Sequence, residues 1–341
     1  MYKKLTSTFL LSVILLLSAC GPTETPAPTA TLTPIPTITP TSTPAAPLVI
    51  LVLPADMDSA QSNAYQTTVY DLAQVAGYRF QVRNSLTVAD LEPSLKIVVS
   101  LPPDPGLAAL AAAAPSVQFL SVDIPGVNPG GNISIIGNQA RPELSGFLFG
   151  YISAMLTTEH DYRIGMITPQ GDPAAQTAFA AFKNGMIYYC GLCPKSYYYF
   201  DIYGNALEYP QLLEISADEQ QSAYPAYAGL FSQKKVAMAY VFPSIATPDL
   251  MNALGSFGII TIGDVTPDPR PVYYAARLAP DMVKAIQAAW ADLLAGRGGL
   301  TVSAPFKLTD VDPGILTPGK QQQAEQVLAD LLSGRIGIGV P

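Results

Sequence analysis

Residues 48–53 read LVILVL, a short and continuous apolar run that is rich in β-branched side chains. Segment Asn63–Ala76 follows, and its apolar residues recur at helical spacing. A strand that is apolar on both faces is typical of a parallel sheet covered by helices on both sides. This stretch therefore predicts a βα unit at the start of the folded part of the chain.

The same alternation continues along the chain. Further strands are predicted at Tyr78–Arg83, Leu95–Ser100, Val117–Val122, Arg163–Thr168, Tyr197–Tyr203, Val236–Phe242, Ile259–Gly263 and Thr301–Lys307. Helices are predicted at Leu107–Ala114, Arg141–Leu156, Ala174–Tyr189, Asp218–Ser232, Pro248–Phe257 and Pro280–Ala295. Alternating elements predict an α/β fold with mostly parallel sheets, and the second series beginning at Arg163 predicts two doubly wound lobes.

We assign residues 48–158 to the first lobe, with a later return at about 265–295. Residues 159–264 form the second lobe, together with about 296–341. Ligands of such sheets bind outside the carboxyl ends of the strands, and a cleft between two lobes is a favoured place. We therefore expect the binding site between the lobes.

The N-terminal region has the pattern of an export signal. Lys3 and Lys4 precede an apolar run that ends in small residues at Cys20. The run is shorter than the roughly 20 residues that a membrane span needs. It resembles a bacterial lipoprotein signal, so residues 1–19 would be removed and Cys20 would be lipidated. The alternative is an ordinary signal peptide with an incidental cysteine.

Residues 20–47 carry the lipidated cysteine and a Pro/Thr-rich linker, of which Pro22–Pro47 has no periodic apolar face to bury. Proline-rich segments are extended and semi-rigid, so we expect a stalk, with a disordered tail as the alternative. The protein would then be extracytoplasmic and anchored by lipid to a bacterial cell membrane.

Its net charge is −8, or −10 without residues 1–19, and its basic residues form no cluster, which argues against nucleic acid as a partner.

The two remaining cysteines, Cys190 and Cys193, have C-x-x-C spacing. Thioredoxin-like chemistry would place the first of them at a helix N-terminus, whereas here the motif follows the predicted helix Ala174–Tyr189. A structural disulfide in an exported protein is the favoured interpretation. A metal site would need further ligands, and the sole histidine, His160, has none at suitable spacing.

Catalysis has little support in the sequence. The chain has no G-x-S-x-G, H-E-x-x-H or phosphate-binding Gly-Lys-Ser/Thr motif, and its single histidine limits acid–base chemistry to carboxylates. We therefore expect no enzyme activity, no cofactor and no metal. A surface glycosidase that uses two carboxylates is the enzymatic alternative.

Several stretches together resemble the basic membrane protein family, whose members are lipoproteins of the type I periplasmic-binding fold that serve ABC transporters, several of them for nucleosides. These stretches are residues 53–65 (LPADMDSAQSNAY), 111–123 (AAAAPSVQFLSVD), the Glu143–Leu156 helix, Phe179–Met186 and Leu316–Ile338. The resemblance implies two lobes and a small-molecule ligand bound in the cleft. It also implies delivery of that ligand to a membrane permease.

The resemblance further implies site residues. Asp58 and Ser59 match the family's first βα loop, Asn63 matches if that loop is longer, and Asp123 matches an aspartate after the fourth strand. The phenylalanine that the family places in this loop is missing. For Asp58 and Asp123, helix capping or turn formation is the structural alternative.

The rest of the implied site lies in the second half of the chain. Gly263-Asp264 resembles a family Gly-x-Asp that holds sugar hydroxyls, with one residue fewer, and turn formation is again the alternative for Asp264. Arg277 could replace a family lysine in charge, although the two side chains donate differently. Phe242 or Tyr240 could supply a stacking ring; we expect Tyr240 in the core and leave both interpretations open for Phe242.

The sequence thus predicts a solute-binding lipoprotein of an ABC transporter, with a nucleoside-like ligand implied by the family. The alternative is a surface sensor or interaction module that binds a ligand without transporting it. Both would place Asp58, Ser59, Asn63, Asp123, Phe242, Asp264 and Arg277 at the ligand.

Overall fold

A computed structural model describes residues 45–137, 140–191, 197–200 and 204–340. The signal, Cys20, nearly all of the linker, and Cys193 lie outside the described residues. None of the helices in the described part combines the length and the hydropathy that a bilayer crossing needs.

The first lobe contains a six-stranded sheet in which every pairing is parallel, in the order β13-β5-β4-β3-β1-β2. Its strands are β1 (Leu48–Val52), β2 (Arg79–Arg83), β3 (Leu95–Ser100), β4 (Gln118–Val122), β5 (Ile133–Gly137) and β13 (Thr301–Ser303). Its helices are α1 (Ser59–Val75), α2 (Leu107–Ala113) and α7 (Met282–Leu294).

Strand β1 shows why its sequence is apolar throughout. Val49 and Leu51 pack against α1 and α7 on one face of the sheet, whereas Leu48 and Ile50 pack against α2 on the other. All four side chains are fully buried. Two hydrophobic clusters on opposite faces therefore hold this lobe together, as expected for a parallel sheet covered on both sides.

The second lobe contains another six-stranded sheet, in the order β14-β12-β11-β10-β6-β9, which is parallel except for the antiparallel pair β12–β14. Its strands are β6 (Ile164–Pro169), β9 (Gln211–Ile215), β10 (Met238–Val241), β11 (Ile260–Gly263), β12 (Tyr274–Pro280) and β14 (Phe306–Thr309). Its helices are α3 (Pro142–Leu156), α4 (Pro173–Cys190), α5 (Ala226–Gln233), α6 (Pro248–Ser256) and α8 (Pro318–Leu332). Strands β7 (Tyr197–Phe200) and β8 (Ala206–Tyr209) form a separate antiparallel pair.

Helices α3 and α4 approach each other unusually closely. A Cβ atom added to Gly146 would overlap the carbonyl oxygen of Ala178, and one added to Gly150 would overlap that of Phe182. On the facing helix, a Cβ at Gly185 would overlap the carbonyl oxygen of Phe147. The glycines permit this contact because their missing side chains let the two backbones meet. The contact fixes α3 within the core of the second lobe.

The lobe boundaries differ from those that the sequence predicted. Helix α3, assigned above to the first lobe, packs with α4 and β10 in the second. Strand β12, within the expected return to the first lobe, belongs to the second sheet, while β13, within the segment expected in the second lobe, pairs with β5 in the first. The chain therefore crosses between lobes after β5, between β12 and α7, and between β13 and β14.

Candidate functional site

Two adjoining cavities lie where the crossing segments meet the carboxyl ends of the strands. The first, of about 300 Å³, is lined by residues of the second lobe, which include the start of α3. Among them are Ser145, Tyr240, Phe242, Asp264 and Phe306. The second, of about 450 Å³, is lined by residues of both lobes, including Gln61, Tyr65, Asp123, Lys307, Thr309 and Asp310. Arg277 and Pro280 line both cavities. The site is therefore one cleft between the lobes, with Arg277 at the junction of its two parts.

Asp264 lines the first cavity and accepts two side-chain hydrogen bonds there. Ser145 donates a hydrogen bond of 2.5 Å to Asp264 Oδ1, and Tyr240 donates one of 2.7 Å to Oδ2. Burial raises the pKa of Asp264, while the two hydrogen bonds and the charge of Arg277 act in the opposite direction. Each carboxylate oxygen has further acceptor capacity, so Asp264 can accept hydrogen bonds from ligand hydroxyl or N–H groups.

Tyr240 holds this carboxylate from the core side. Its side chain is fully buried, with ring centroids 4.8 Å from Phe149 and 6.3 Å from Phe182. Burial and the neighbouring charge of Asp264 raise the pKa of the Tyr240 hydroxyl well above its usual value, so it remains a donor. The sequence predicted a core position for Tyr240 and overlooked the role of its hydroxyl.

Arg277 lies on β12 with its guanidinium only partly engaged. Its Nε donates to the backbone oxygen of Asp264 over 3.0 Å. Within the described residues, its two terminal nitrogens have no hydrogen-bond or salt-bridge partner. Across the antiparallel pairing, Arg277 faces Thr309, whose buried Oγ1 also has no partner in the described part of the chain. The terminal nitrogens of Arg277 are thus available to a ligand at the junction of the two cavities.

Asp123 approaches the second cavity from the first lobe. It directly follows β4 with a φ of 54°, a left-handed conformation that aspartate tolerates better than most residues. Its carboxylate is exposed to the cleft and has no side-chain partner among the described residues. Desolvation raises the pKa of Asp123. The pKa of the neighbouring Tyr65 is also raised, mainly by burial and to a smaller extent by the negative charges of Asp123 and Asp281.

Three predicted site residues do not line either cavity. Asp58 caps α1, because its Oδ1 accepts the N–H groups of Ala60 at 2.9 Å and Gln61 at 3.1 Å. Ser59 begins the helix, and both residues are exposed. Helix capping, the structural alternative for Asp58, is therefore what the structure shows.

Asn63 is exposed on a different side of α1 from the cavity. The helix presents Gln61, Ala64 and Tyr65 to the cleft, a spacing of three and four residues that defines one helical face. Of the predicted residues, the structure brings Asp123, Phe242, Asp264 and Arg277 into the cleft. It adds Ser145, Tyr65, Thr309 and Phe306, which the sequence did not single out.

Two of the predicted aspartates, Asp123 and Asp264, lie in the same kind of connection. Asp123 leads towards β5 and Asp264 towards β12, so both connect one strand to another rather than a strand to a helix.

Cys190, the last residue of α4, is in a disulfide bond, but Cys193 lies outside the described residues, and the predicted pairing stays a prediction. In the described part of the chain, no group of three or more His, Cys, Asp or Glu side chains could hold a metal ion.

No protein family model matches the sequence, and no curated protein matches it significantly. Among solved structures, an ABC transporter system solute-binding protein from Conexibacter woesei DSM 14684 is similar with a TM-score of 0.50 and 12% identity, over 86% of this chain and 98% of that one. A solute-binding protein from Mycobacterium smegmatis, with bound glycerol, has a TM-score of 0.39 and 16% identity over 83% and 97% of the two chains. At this identity the first likeness shows the fold alone: the predicted two-lobed, periplasmic-binding-protein-like α/β fold is confirmed.

Proposed function

We propose that this protein is an extracytoplasmic solute-binding lipoprotein of an ABC transporter. It binds a small polar ligand between its lobes and delivers that ligand to a membrane permease. The observation that carries the proposal is the cleft itself, in which polar groups with hydrogen-bonding capacity left over among the described residues face one space: the Asp123 carboxylate from the first lobe and the terminal nitrogens of Arg277 from the second. Burying such groups is costly unless hydrogen bonds compensate, and a ligand supplies those bonds.

The crossing segments give the cleft a means of responding to ligand. Lobes joined by short segments can rotate about them, and a ligand that contacts both lobes favours the closed arrangement through its differential affinity. The closed form is then the signal that a permease recognises. A ligand that contacted one lobe alone would shift this equilibrium little.

The export signal and the linker complete the proposal. Lipidation of Cys20 anchors the chain, and the Pro/Thr-rich residues 22–47 hold the binding lobes away from the lipid surface. A substrate-binding protein tethered in this way remains near its permease. The resemblance to the basic membrane protein family favours the same arrangement.

Nucleosides are the first ligand class to examine, because the family resemblance favours them. Asp264 has acceptor capacity for two sugar hydroxyls, and the ring of Phe242, which is 8% exposed, lines the same cavity. The cavity walls are otherwise largely apolar, a composition that suits a planar base beside a hydroxyl-bearing sugar. The pairing of an apolar slot with one buried acceptor supports this ligand class.

A surface sensor is the second candidate function, since the same cleft could report a ligand to a membrane partner other than a permease. A permease or ATPase gene beside this one favours transport, whereas a sensor-kinase gene favours signalling. The glycosidase alternative has less support because Asp264 already accepts two hydrogen bonds. Hydrolysis of a glycoside by the purified protein, lost on substitution of Asp264 or Asp123, would establish it instead.

A thermal-shift screen of the full chain in mild detergent tests the proposal. The panel contains nucleosides, nucleobases, sugars, amino acids and short peptides. A ligand at 100 times its dissociation constant adds about 2.7 kcal/mol to the free energy of unfolding. A nucleoside that stabilises wild type and Asp58→Ala, but not Asp264→Ala, supports both the function and the ligand class. No stabilisation by any compound contradicts solute binding.

A further inference from the structure

The charges in the second cavity are unequally compensated. Lys307 Nζ lies 3.1 Å from Asp281 Oδ1, and Thr266 donates a hydrogen bond of 2.7 Å to Asp310. Asp123 and the terminal nitrogens of Arg277 have no such partner among the described residues. One carboxylate of the first lobe and one guanidinium of the second therefore remain available in the same cavity.

These two opposite charges do not neutralise each other. No salt bridge within 4.0 Å joins Asp123 to Arg277 in the described residues, although both line one cavity of about 450 Å³. Tyr65 lies beside the carboxylate, and Thr309, with its unpartnered buried Oγ1, faces Arg277 across the β12–β14 pairing. Each charge thus has a residue with a hydroxyl group nearby, and the cavity that both charges line has room for a small molecule.

We propose that the second cavity binds the amino and carboxylate groups of a small amino acid, with its ammonium at Asp123 and its carboxylate at Arg277. This inference rests on the proposed solute-binding function and names an amino acid, instead of a nucleoside, as the ligand. A guanidinium with both terminal nitrogens free can hold a carboxylate through two parallel hydrogen bonds. An ammonium can likewise donate to the partly desolvated carboxylate of Asp123, so the ligand brings a group of opposite charge to each of the two side chains.

The side chain of the bound amino acid would lie in or near the first cavity. Because Arg277 lines both cavities, a carboxylate bound there leaves the substituent of the amino acid close to the first cavity. That cavity has the rings of Phe242 and Phe306 in its wall and Asp264 among its polar groups. Its composition suits a largely apolar side chain, with room for a hydrogen-bond donor at Asp264.

The test uses the full chain in mild detergent and the twenty common L-amino acids, each compared with its carboxamide and its N-acetyl derivative. Calorimetric titration should show binding of at least one free amino acid. Its two derivatives should bind at least about tenfold more weakly, because each loses one charge-assisted contact. The variants Asp123→Asn and Arg277→Gln should each weaken binding by a similar factor. Asp58→Asn and Arg79→Gln, which alter exposed residues outside the cleft, should leave the affinity unchanged.

The other outcomes overturn the inference in distinguishable ways. Binding of a nucleoside or sugar alone, unaffected by Asp123→Asn, contradicts the amino-acid ligand and leaves the solute-binding function intact. No binding across amino acids, nucleosides and sugars contradicts both. If Asp123 and Arg277 pair directly on closure, the two substitutions destabilise the ligand-free protein non-additively and no amino acid binds, which also overturns the inference.

Discussion

At the scale of single residues, Asp264 is a carboxylate that the fold holds in place and that also lines the proposed ligand site. It is partly buried, and it is held by Ser145 from α3 and Tyr240 from β10, which lie on separate elements. Neither donor adjoins Asp264 in sequence, so the site forms only when the second lobe has folded. The carboxylate is therefore oriented towards the cleft before any ligand arrives.

The raised pKa of Asp264 predicts a pH dependence of stability. A carboxyl group whose pKa is higher in the folded protein than in the unfolded chain stabilises the fold fully below about 3.8, and that contribution is lost as pH rises through the folded value. Asn does not titrate, so the Asp264→Asn variant does not show this decrease in stability with rising pH. The free energy of unfolding of the variant minus that of wild type should become more positive from pH 3.5 to pH 7 in urea titrations. A flat difference contradicts the direction of the shift; other carboxyl groups are common to both proteins and cancel.

Tyr240→Phe tests the hydroxyl that supports Asp264. The substitution leaves a buried carboxylate with one donor fewer, so we expect a loss of about 1.5–3 kcal/mol in the free energy of unfolding. Tyr209→Phe is the matched control, because Tyr209 is equally buried but donates to the neutral backbone oxygen of Lys234. Its loss should be about 0.5–1.5 kcal/mol. Equal losses in chemical denaturation would mean that the Tyr240–Asp264 bond has no special weight.

Sequence reasoning reached part of this site for a clear physical reason. Polar residues directly after parallel strands meet at one edge of a sheet, which is why Asp123 and Asp264 could be predicted. Asp58 lies in the loop after β1, but it directly precedes α1 rather than directly following the strand, and its carboxylate caps that helix. Ser145 precedes Asp264 by 119 residues, and its only signal is a hydroxyl at the start of an apolar helix.

At the scale of elements, the contact between α3 and α4 positions one wall of the site. Ser145 immediately precedes Gly146, whose lack of a side chain lets α3 meet the backbone of α4 at Ala178. Any widening of this contact would shift α3, the helix that carries the Ser145 hydroxyl bonded to Asp264. The helix pair thus connects core packing to the geometry of the cleft.

Gly150→Ala tests that connection. The added methyl group overlaps the carbonyl oxygen of Phe182, so the helices must separate, and we expect a loss of about 1–3 kcal/mol in the free energy of unfolding. Gly229→Ala in α5 is the control, because its added Cβ meets no atom within 4 Å. That variant should be unchanged or gain up to about 1 kcal/mol from helix propensity. A neutral Gly150→Ala in urea denaturation would contradict the tight contact.

The predicted elements agree with the structure where the hydrophobic pattern is strong. They differ where a capping residue sets the start of a helix or where an element has much polar surface. Helix α1 begins at Ser59 rather than Asn63, because Asp58 caps it ahead of the apolar pattern. Helix α5 begins at Ala226, well after the predicted Asp218. Helix α8 was not predicted from pattern, since it buries only Ala324, Val327, Leu328 and Leu331. Strand β12 was missed because Arg277 interrupts its apolar run.

At the scale of the whole molecule, the two-lobed fold could be predicted but the partition of the chain could not. Repeated βα units indicate two sheets, yet helix α3 is largely apolar and could cover either of them. Its glycines match the close surface of α4, and only the packed structure reveals that match. Strand β13 is three residues long, too short for a sequence pattern to assign it to a lobe.

The ion pair between Asp281 and Lys307 joins the crossing segment between β12 and α7 to strand β14, and its removal should lower the stability of the whole molecule. Asp281 is 5% exposed, caps α7 through the N–H of Lys284, and accepts from Lys307 Nζ. Lys307→Gln leaves this buried carboxylate without its cation. The partial exposure of Lys307 moderates the cost to about 1–3 kcal/mol in the free energy of unfolding.

Arg335→Gln is the matched control for that variant. It breaks an ion pair with Asp330 at 3.0 Å on the surface of the second lobe, where the arginine side chain is 68% exposed. Exposed pairs contribute about 0–1 kcal/mol, so the melting temperature should fall clearly for Lys307→Gln and little for Arg335→Gln in scanning calorimetry. Equal shifts would mean that the crossing segments depend on backbone contacts, such as that from the Asp281 N–H to the Pro305 oxygen, rather than on this charge pair. A larger shift for Lys307→Gln would show that this ion pair stabilises the fold at the place where the chain crosses between the lobes.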